Sequence, residues 1–340
     1  GLSAEPLTSL VDAKSMKCRI CVNREGIRTY RVLEIIHGIR YLHPYFQCLE
    51  CQCLQIAEIP PDMGKYYGDS YYSYRKVNFR FFSSYAIARR DSYAVMRTGL
   101  IGYSLFRLFP TRDLDFLAPL ENITFDSKIL DVGCGAGKLI TRLRRVGFRH
   151  VEGVDPFIAT DIQYSSGVKI RKRTVHESDG CYDVVMFHHS FEHIADPRET
   201  LQKTATLLSE NGVCVIRIPV VPCHAWERYG VNWVQLDAPR HFFIHSRKSL
   251  EILAGDSGLE IFKVTCDSTE FQFLGSELYE KDVPLASKDP AEQKIRDMMV
   301  ANTALINRFA REAEKLNANG TGDQAVFYLR KRAQSHAPDR

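Results

Sequence analysis

The chain has 340 residues, enough for two domains or one elaborated domain. Hydrophobic residues make up 45% and charged residues 25%, the balance of a soluble globular protein and not of a disordered or fibrous one. The net charge of +4 is too small to make nucleic acid the main partner, and no apolar run nears the ~20 residues needed to span a bilayer.

Residues 1 to about 15 are expected to be disordered. Cys18 and Cys21 then form one C-x-x-C pair, and Cys48 and Cys51 form a second inside CLECQC. Two such pairs separated by ~15–30 residues signal zinc. Each pair places two thiolates on one tight turn, and two turns complete a tetrahedron around the ion. Tyr30–Leu33 and Tyr45–Gln47 read as strands of a small ribbon between them. So small a piece has too little core to fold alone, so the metal is expected to stabilise it. Cys53 is the surplus thiol, able to replace Cys51 but with poorer spacing, and His43 is a weaker alternative ligand. Four cysteines make a closed site, structural and not catalytic.

Pro60-Pro61 breaks the chain. Tyr66, Tyr67, Tyr71, Tyr72 and Tyr74 then crowd into nine positions. They either line a cleft for a saccharide or adenosine, or pack the ribbon against the main domain. Helices are expected over about Phe79–Arg97 and Gly102–Phe109. The basic, aromatic segment RKVNFRFFSSYAIARR reads as a solvated helix face.

The next stretch, Ile129 to Gly147, organises the rest. A buried strand, Ile129–Val132, leads into Gly133, Gly135 and Gly137, and then into a helix carrying Leu139, Ile140, Leu143 and Val146 at helical spacing. Strand, glycine turn and helix open a nucleotide-binding α/β sheet. The glycines let backbone approach a ligand closely. A second apolar run, Val151–Val154, ends at Asp155, placed to accept hydrogen bonds from two ribose hydroxyls. The spacing is G-x-G-x-G with Asp131 ahead of it, which suits a positively charged ligand better than a pyrophosphate. D-V-G-C-G-A-G followed by V-E-G-V-D resembles motif I and the strand-two acid of class I S-adenosylmethionine-dependent methyltransferases. The resemblance implies an α/β, Rossmann-like seven-stranded sheet with the cofactor over the strand ends, near Asp131, Gly133, Gly135, Gly137 and Asp155.

Further on, Val168–Val175 is the best candidate for strand three and Tyr182–Phe187 reads as strand four. His188, His189, Ser190, Glu192 and His193 therefore fall at the carboxyl edge of the sheet, where ligands bind in open α/β folds. His188 and His189 read as cofactor-shelf residues. His193 is a candidate general base, since imidazole titrates near neutrality, or else a structural histidine tying the loop down. Asp196-Pro197 starts a helix with Leu201, Ala205 and Leu208 on one face, Gly212 ends it, and Val213–Val220 is strand five. F-E-H-I-A-D-P resembles the signature that follows strand four in small-molecule and sugar methyltransferases.

The connection after strand five carries Trp226 and Trp233 and is expected to form the substrate mouth. Its run W-V-Q-L-D-A-P-R-H-F-F-I-H-S is similar to a segment of methyltransferases that carry an N-terminal zinc ribbon and act on sugars or surface glycans. His241 stands where some of them place the base of a Glu-His pair, but Arg240 replaces the glutamate. A helix over Ser249–Ala254 and strand six, Leu259–Thr265, follow. Residues 270 to 320 look like an insertion, with FQFLGSELYEKDVPL as a candidate cover for the site. An amphipathic helix, Ala291–Leu316, then serves as a packing arm or as a homodimer element. Gln324–Lys331 is the last strand, and the tail SHAPDR is expected to be disordered.

These readings divide the chain into a zinc ribbon (1–60), a tyrosine-rich joint with helices (61–119) and a methyltransferase domain (120–340). They predict methyl transfer from S-adenosylmethionine to a sugar hydroxyl of a nucleotide sugar or surface polysaccharide, with His193 or His241 taking the proton. C-methylation of a keto-sugar, a non-catalytic module in a glycan-assembly complex and nucleic-acid methylation are the alternatives. Arg240, the intact glycine motif and the modest charge weigh against them in turn. The first residues lack the charged and apolar regions of a secretion signal. Ten cysteines beside a cytosolic-type fold point to metal or free thiols and not disulfides. Both features place the protein in the cytoplasm.

Overall fold

The computed structural model describes residues 16–67 and 81–333. Tyr71, Tyr72, Tyr74 and the two terminal segments expected to be disordered lie outside the described residues. No helix is long and apolar enough to cross a membrane among the described residues.

The N-terminal piece is a sheet of β1 (Ile27–Leu33), β2 (Leu42–Cys48) and β3 (Leu54–Ile56), all antiparallel. Two helices follow, α1 (Phe81–Met96) and α2 (Leu100–Leu108). The main domain then alternates strand and helix. It runs through β4 (Lys128–Val132), α3 (Lys138–Val146), β5 (His150–Val154), the two-residue β6 (Ile162–Gln163), β7 (Lys169–Arg171), β8 (Tyr182–His188), α4 (Pro197–Leu207) and β9 (Leu208–Pro219). After β9 come α5 (His224–Tyr229), β10 (Phe243–Ile244), α6 (Arg247–Asp256), β11 (Leu259–Cys266), α7 (Phe271–Glu280), α8 (Pro290–Ala301), α9 (Thr303–Ala318) and β12 (Gln324–Lys331).

The main sheet has the order β11-β12-β9-β8-β4-β5-β7-β6. From β7 to β9 the strands run parallel, and β12 is antiparallel to both its neighbours. Seven strands were expected, and eight are present in this sheet among the described residues. The eighth, β6, is an antiparallel edge strand paired through Ile162 and Gln163 alone. Buried parallel strands need apolar residues on both faces. Along β8, Val185 and Phe187 join one core cluster while Val184 and Met186 join the other. The first cluster also contains Tyr45, Ile56 and Phe243, so the N-terminal sheet and the main sheet share one core. Moreover, β10 pairs antiparallel with β3, which puts a strand of the main domain into the N-terminal sheet.

Several element boundaries differ from the sequence reading. Strand three is only Lys169–Arg171, because Thr174 and Glu177 form a capping box that turns Val175–Glu177 into a short helix. Leu208 begins β9 instead of ending the helix, and Gly212 lies within that strand. The single helix expected over Ala291–Leu316 is two. Asn302 ends α8, and its side-chain oxygen accepts a hydrogen bond from Leu305 N at 3.0 Å to cap α9. Trp226 and Trp233 are buried, with Trp226 edge-on to Tyr30 of β1 at 5.0 Å. They pack the N-terminal sheet against the main domain and do not form a mouth.

Candidate active site and cysteine cluster

The glycine turn after β4 has its backbone in the left-handed region at Gly133 (φ +74°) and Gly137 (φ +76°), and Gly137 caps α3. A Cβ on Gly133 would stand 2.5 Å from Ser190 Cβ. Ser190 is fixed in turn, its hydroxyl donating to Val132 O at 2.6 Å. The turn therefore closes against the loop after β8, and both border a cavity of about 320 Å³ at the carboxyl ends of the strands. Asp155, Phe157, His189, His193, Phe242 and Tyr67 also line it.

Asp155 Oδ2 accepts from Gly135 N and its Oδ1 accepts from Phe157 N, both at 2.8 Å. Burial raises its pKa, and those amides oppose the rise. Asp131 is buried behind the turn. Burial, then the charge of Asp155, holds its carboxyl well above the usual range. Of the glycines, Gly133 reaches the cavity wall, whereas Gly135 and Gly137 shape the turn behind it. His188 contributes nothing to the wall. It packs on Phe116 at 5.2 Å and accepts from Arg217 at 3.1 Å, and burial pulls its pKa well below the ordinary value. Its neighbour His189 turns the other way, on a left-handed backbone (φ +54°), and lines the cavity. Arg217 also donates to His189 Nε2 at 2.9 Å, which leaves the proton of that ring on Nδ1, 3.7 Å from Glu192.

His193 and His241 meet from separate loops with ring centroids 4.8 Å apart. His193 Nδ1 donates to Arg240 O at 2.8 Å and His241 Nδ1 donates to Gln235 O at 2.8 Å. Nδ1 therefore carries a proton on each ring, and in the neutral form the lone pair is on Nε2. Burial, then the neighbouring His241, lowers the pKa of His193, so it is neutral at pH 7. The acid missing from sequence position 240 is supplied from elsewhere. His241 Nε2 lies 3.6 Å from Asp237 and 3.9 Å from Glu192. Glu192 is 1% exposed, and both its carboxylate oxygens lack a hydrogen-bond donor among the described residues. Burial pushes its pKa up, and the facing imidazoles of His189, His193 and His241 act in the opposite direction.

Arg240 does not face the cavity. Its guanidinium is buried and pairs with Asp237 and with Glu34 of the N-terminal piece, and Nη1 donates to Tyr66 O at 2.7 Å. The same residue that departs from the Glu-His pair thus ties three segments together while its carbonyl orients His193. Glu192 was legible as a residue of the carboxyl edge, but neither it nor Asp237 was legible as a partner of His241, since they reach that ring only through loop geometry. FQFLGSELYE forms α7, which stacks Phe273 on Phe309 at 5.1 Å and gives the cavity wall no residue.

At the other end of the chain, Cys18 Sγ lies 3.5 Å from Cys51 Sγ and Cys21 Sγ lies 3.5 Å from Cys48 Sγ. All four sulfurs fall within 4.8 Å of one another. Tetrahedral zinc at its usual bond length separates thiolates by about 3.8 Å, so the four fit one ion. Gln55 Nε2 donates to Cys18 Sγ at 2.9 Å. The Cys18 thiol is pulled down to about 5, chiefly by Cys51. Cys53 and His43 stand outside the quartet; Cys53 Sγ donates to Leu54 O, and His43 packs on Tyr66 at 5.3 Å.

Residues 105–264, from the second helix to the sixth strand of the expected order, match the model of a methyltransferase domain. The chain carries a methyltransferase domain. That domain is similar to the ubiquinone biosynthesis O-methyltransferase of Cronobacter sakazakii, 35% identical over 119 residues, 32% of this chain and 48% of that protein. It is similar also to the enzyme of the same name from Erwinia tasmaniensis, 38% identical over 119 residues with the same coverage. The chain thus spans about half the length of the curated relatives it matches. Among solved structures, the O-methyltransferase of a trans-AT PKS multienzyme of Brevibacillus brevis, in complex with S-adenosyl-L-homocysteine, is 16% identical, covering 76% of this chain and 82% of that one. Its TM-score of 0.40 is too low for that likeness to bear on the site.

Proposed function

We propose that the protein transfers a methyl group from S-adenosylmethionine to an oxygen of its acceptor, and that the cavity beside Gly133 and Asp155 receives the cofactor. The observation that carries this reading is a left-handed glycine pressed against Ser190, with the buried carboxylate of Asp155 hydrogen-bonded to the same turn on the cavity wall, inside the matched methyltransferase domain. The cofactor supplies an electrophilic sulfonium methyl. Asp155 would accept from the ribose hydroxyls of the bound cofactor. Glu192, beside His193, would place negative charge near the positively charged ligand, whereas Asp131 stays behind the turn.

The oxygen–carbon bond forms as the sulfur–carbon bond breaks, and the sulfur leaves as a neutral thioether. The acceptor's proton departs toward the corner of His193 and His241, where a neutral ring offers its Nε2 lone pair. An alcohol loses that proton as the methyl moves and not before, because its own pKa is far above neutrality.

The acceptor we propose is a sugar hydroxyl, on a nucleotide sugar or surface polysaccharide, supported by the W-V-Q-L-D-A-P-R-H-F-F-I-H-S segment. A second reading is an aromatic hydroxyl. The names of the relatives and the aromatic wall formed by Tyr67, Phe157 and Phe242 favour it. The four cysteines hold zinc in a structural role. Titration of S-adenosylmethionine into purified protein tests the cofactor reading, and labelled methyl transfer to panels of nucleotide sugars and of phenols tests the acceptor. Absence of binding by a folded, metal-replete protein would overturn the enzymatic reading.

A further inference from the structure

We infer that Glu192, His193 and His241 form a second metal site, distinct from the cysteine quartet, which takes a divalent transition-metal ion at the edge of the cavity. The first observation is the carboxylate. Glu192 is 1% exposed, and neither oxygen has a hydrogen-bond donor among the described residues. A carboxylate taken out of water needs donors or a cation, and the nearest donor atom, His189 Nδ1, stands 3.7 Å off.

The second observation is the pair of imidazoles. Each has its Nδ1–H committed to a backbone carbonyl at 2.8 Å, Arg240 O for His193 and Gln235 O for His241. Metal-ligating histidines are oriented in this way, the outer nitrogen donating and the inner one left with its lone pair. One ligand atom from each of the three side chains lies within 4.8 Å of the others. Around an ion with bonds of about 2.1 Å they would stand about 3.0–3.4 Å apart, so the three close inward by about 1 Å.

Two imidazole nitrogens and one carboxylate oxygen suit zinc, cobalt, manganese or ferrous iron and not magnesium or calcium. His193 lines the cavity, so a coordination position left open there faces the acceptor. With the ion bound, the two imidazole lone pairs are its ligands and no longer the proton acceptors of the ion-free corner. The acceptor hydroxyl is acidified by the cation and passes its proton to solvent or to Asp237, which lies 3.6 Å from His241 Nε2. Metal binding itself does not depend on the methyl-transfer reading.

The test compares the full chain with Glu192→Gln and His241→Asn, each reconstituted with Co²⁺ after removal of bound metal. The wild type is expected to hold one cobalt per chain more than either variant. Its difference spectrum against Glu192→Gln should show visible d–d bands without a sulfur-to-cobalt charge-transfer band, since that band belongs to the cysteines. Equal cobalt content in wild type and both variants, or a difference spectrum with sulfur charge transfer, would overturn the site. If Glu192→Gln fails to fold, cobalt-edge X-ray absorption of the wild type decides. Two populations, one sulfur-ligated and one nitrogen- and oxygen-ligated, uphold the site, and sulfur ligation alone sinks it.

Discussion

Replacing Gly133 by alanine asks how tightly the glycine turn is closed against the loop after β8. Two costs combine there. A left-handed backbone (φ +74°) costs an alanine ~1–2 kcal/mol. The new Cβ would also stand 2.5 Å from Ser190 Cβ, and overpacking of this kind costs ~1–3 kcal/mol. Ser190 cannot swing aside as a flexible side chain would. The clash is with its Cβ, and the residue is pinned by its hydrogen bond to Val132 O. The sum is a destabilisation of about 2–5 kcal/mol. Gly167 provides the control, with φ +86° and no atom within 4 Å of its Cβ position. Gly167→Ala should show the backbone cost alone. The difference between the two variants in urea unfolding isolates the collision, about 1–3 kcal/mol. Gly133→Ala should also weaken S-adenosylmethionine binding in calorimetry, and Gly167→Ala should leave it unchanged. Equal unfolding midpoints for the two variants would refute the argument, since the loop would then yield without cost.

Asp155→Ala is expected to weaken S-adenosylmethionine binding by about 2–4 kcal/mol, the size of one or two charge-assisted hydrogen bonds, as read by isothermal titration. Cys48→Ser should lower bound zinc by one equivalent per chain and lower the melting temperature; unchanged zinc would remove the quartet from metal binding. Arg240→Met leaves the buried carboxylates of Glu34 and Asp237 without their cation. A loss of about 3–5 kcal/mol is expected, partly recovered by adding Glu34→Gln. Asp323, which accepts from Trp233 Nε1 at 3.0 Å, has its pKa raised by burial to about 6. Between pH ~4 and ~6 the folded chain therefore binds a proton that the unfolded chain has released. Its contribution to stability falls by about 2–3 kcal/mol as pH rises through that window and is flat above it. Asp323→Asn should flatten that slope in unfolding experiments run from pH 4 to 7.

The parts that were legible in the sequence are those that local patterning determines. Ile129–Val132, the glycines and Asp155 lie within 27 consecutive residues, where apolar run, turn and period leave little freedom. The paired cysteines were legible for the same reason, since C-x-x-C is a turn-sized constraint. The split of the long helix at Asn302 was not, because an asparagine within a helical pattern caps only if its side chain turns back on Leu305. Nor was the partner of His241. Sequence adjacency pointed to position 240, whereas Asp237 and Glu192 arrive through a loop turn and from another strand end. The same reasoning missed the tryptophans. A long loop after β9 suggested a mouth, yet Trp233 is fully buried, because an indole with Asp323 as acceptor is satisfied in the core.

The pairing of β3 with β10 has a consequence for biosynthesis. Leu54 and Ile244 are hydrogen-bonded neighbours, yet almost the whole methyltransferase core is translated between them. The N-terminal sheet therefore leaves the ribosome with an open edge, and it stays open until the loop after β9 has emerged and docked. Unpaired edges on nascent chains invite misassociation. Early capture of metal by the four cysteines would hold the first three strands in register during that wait.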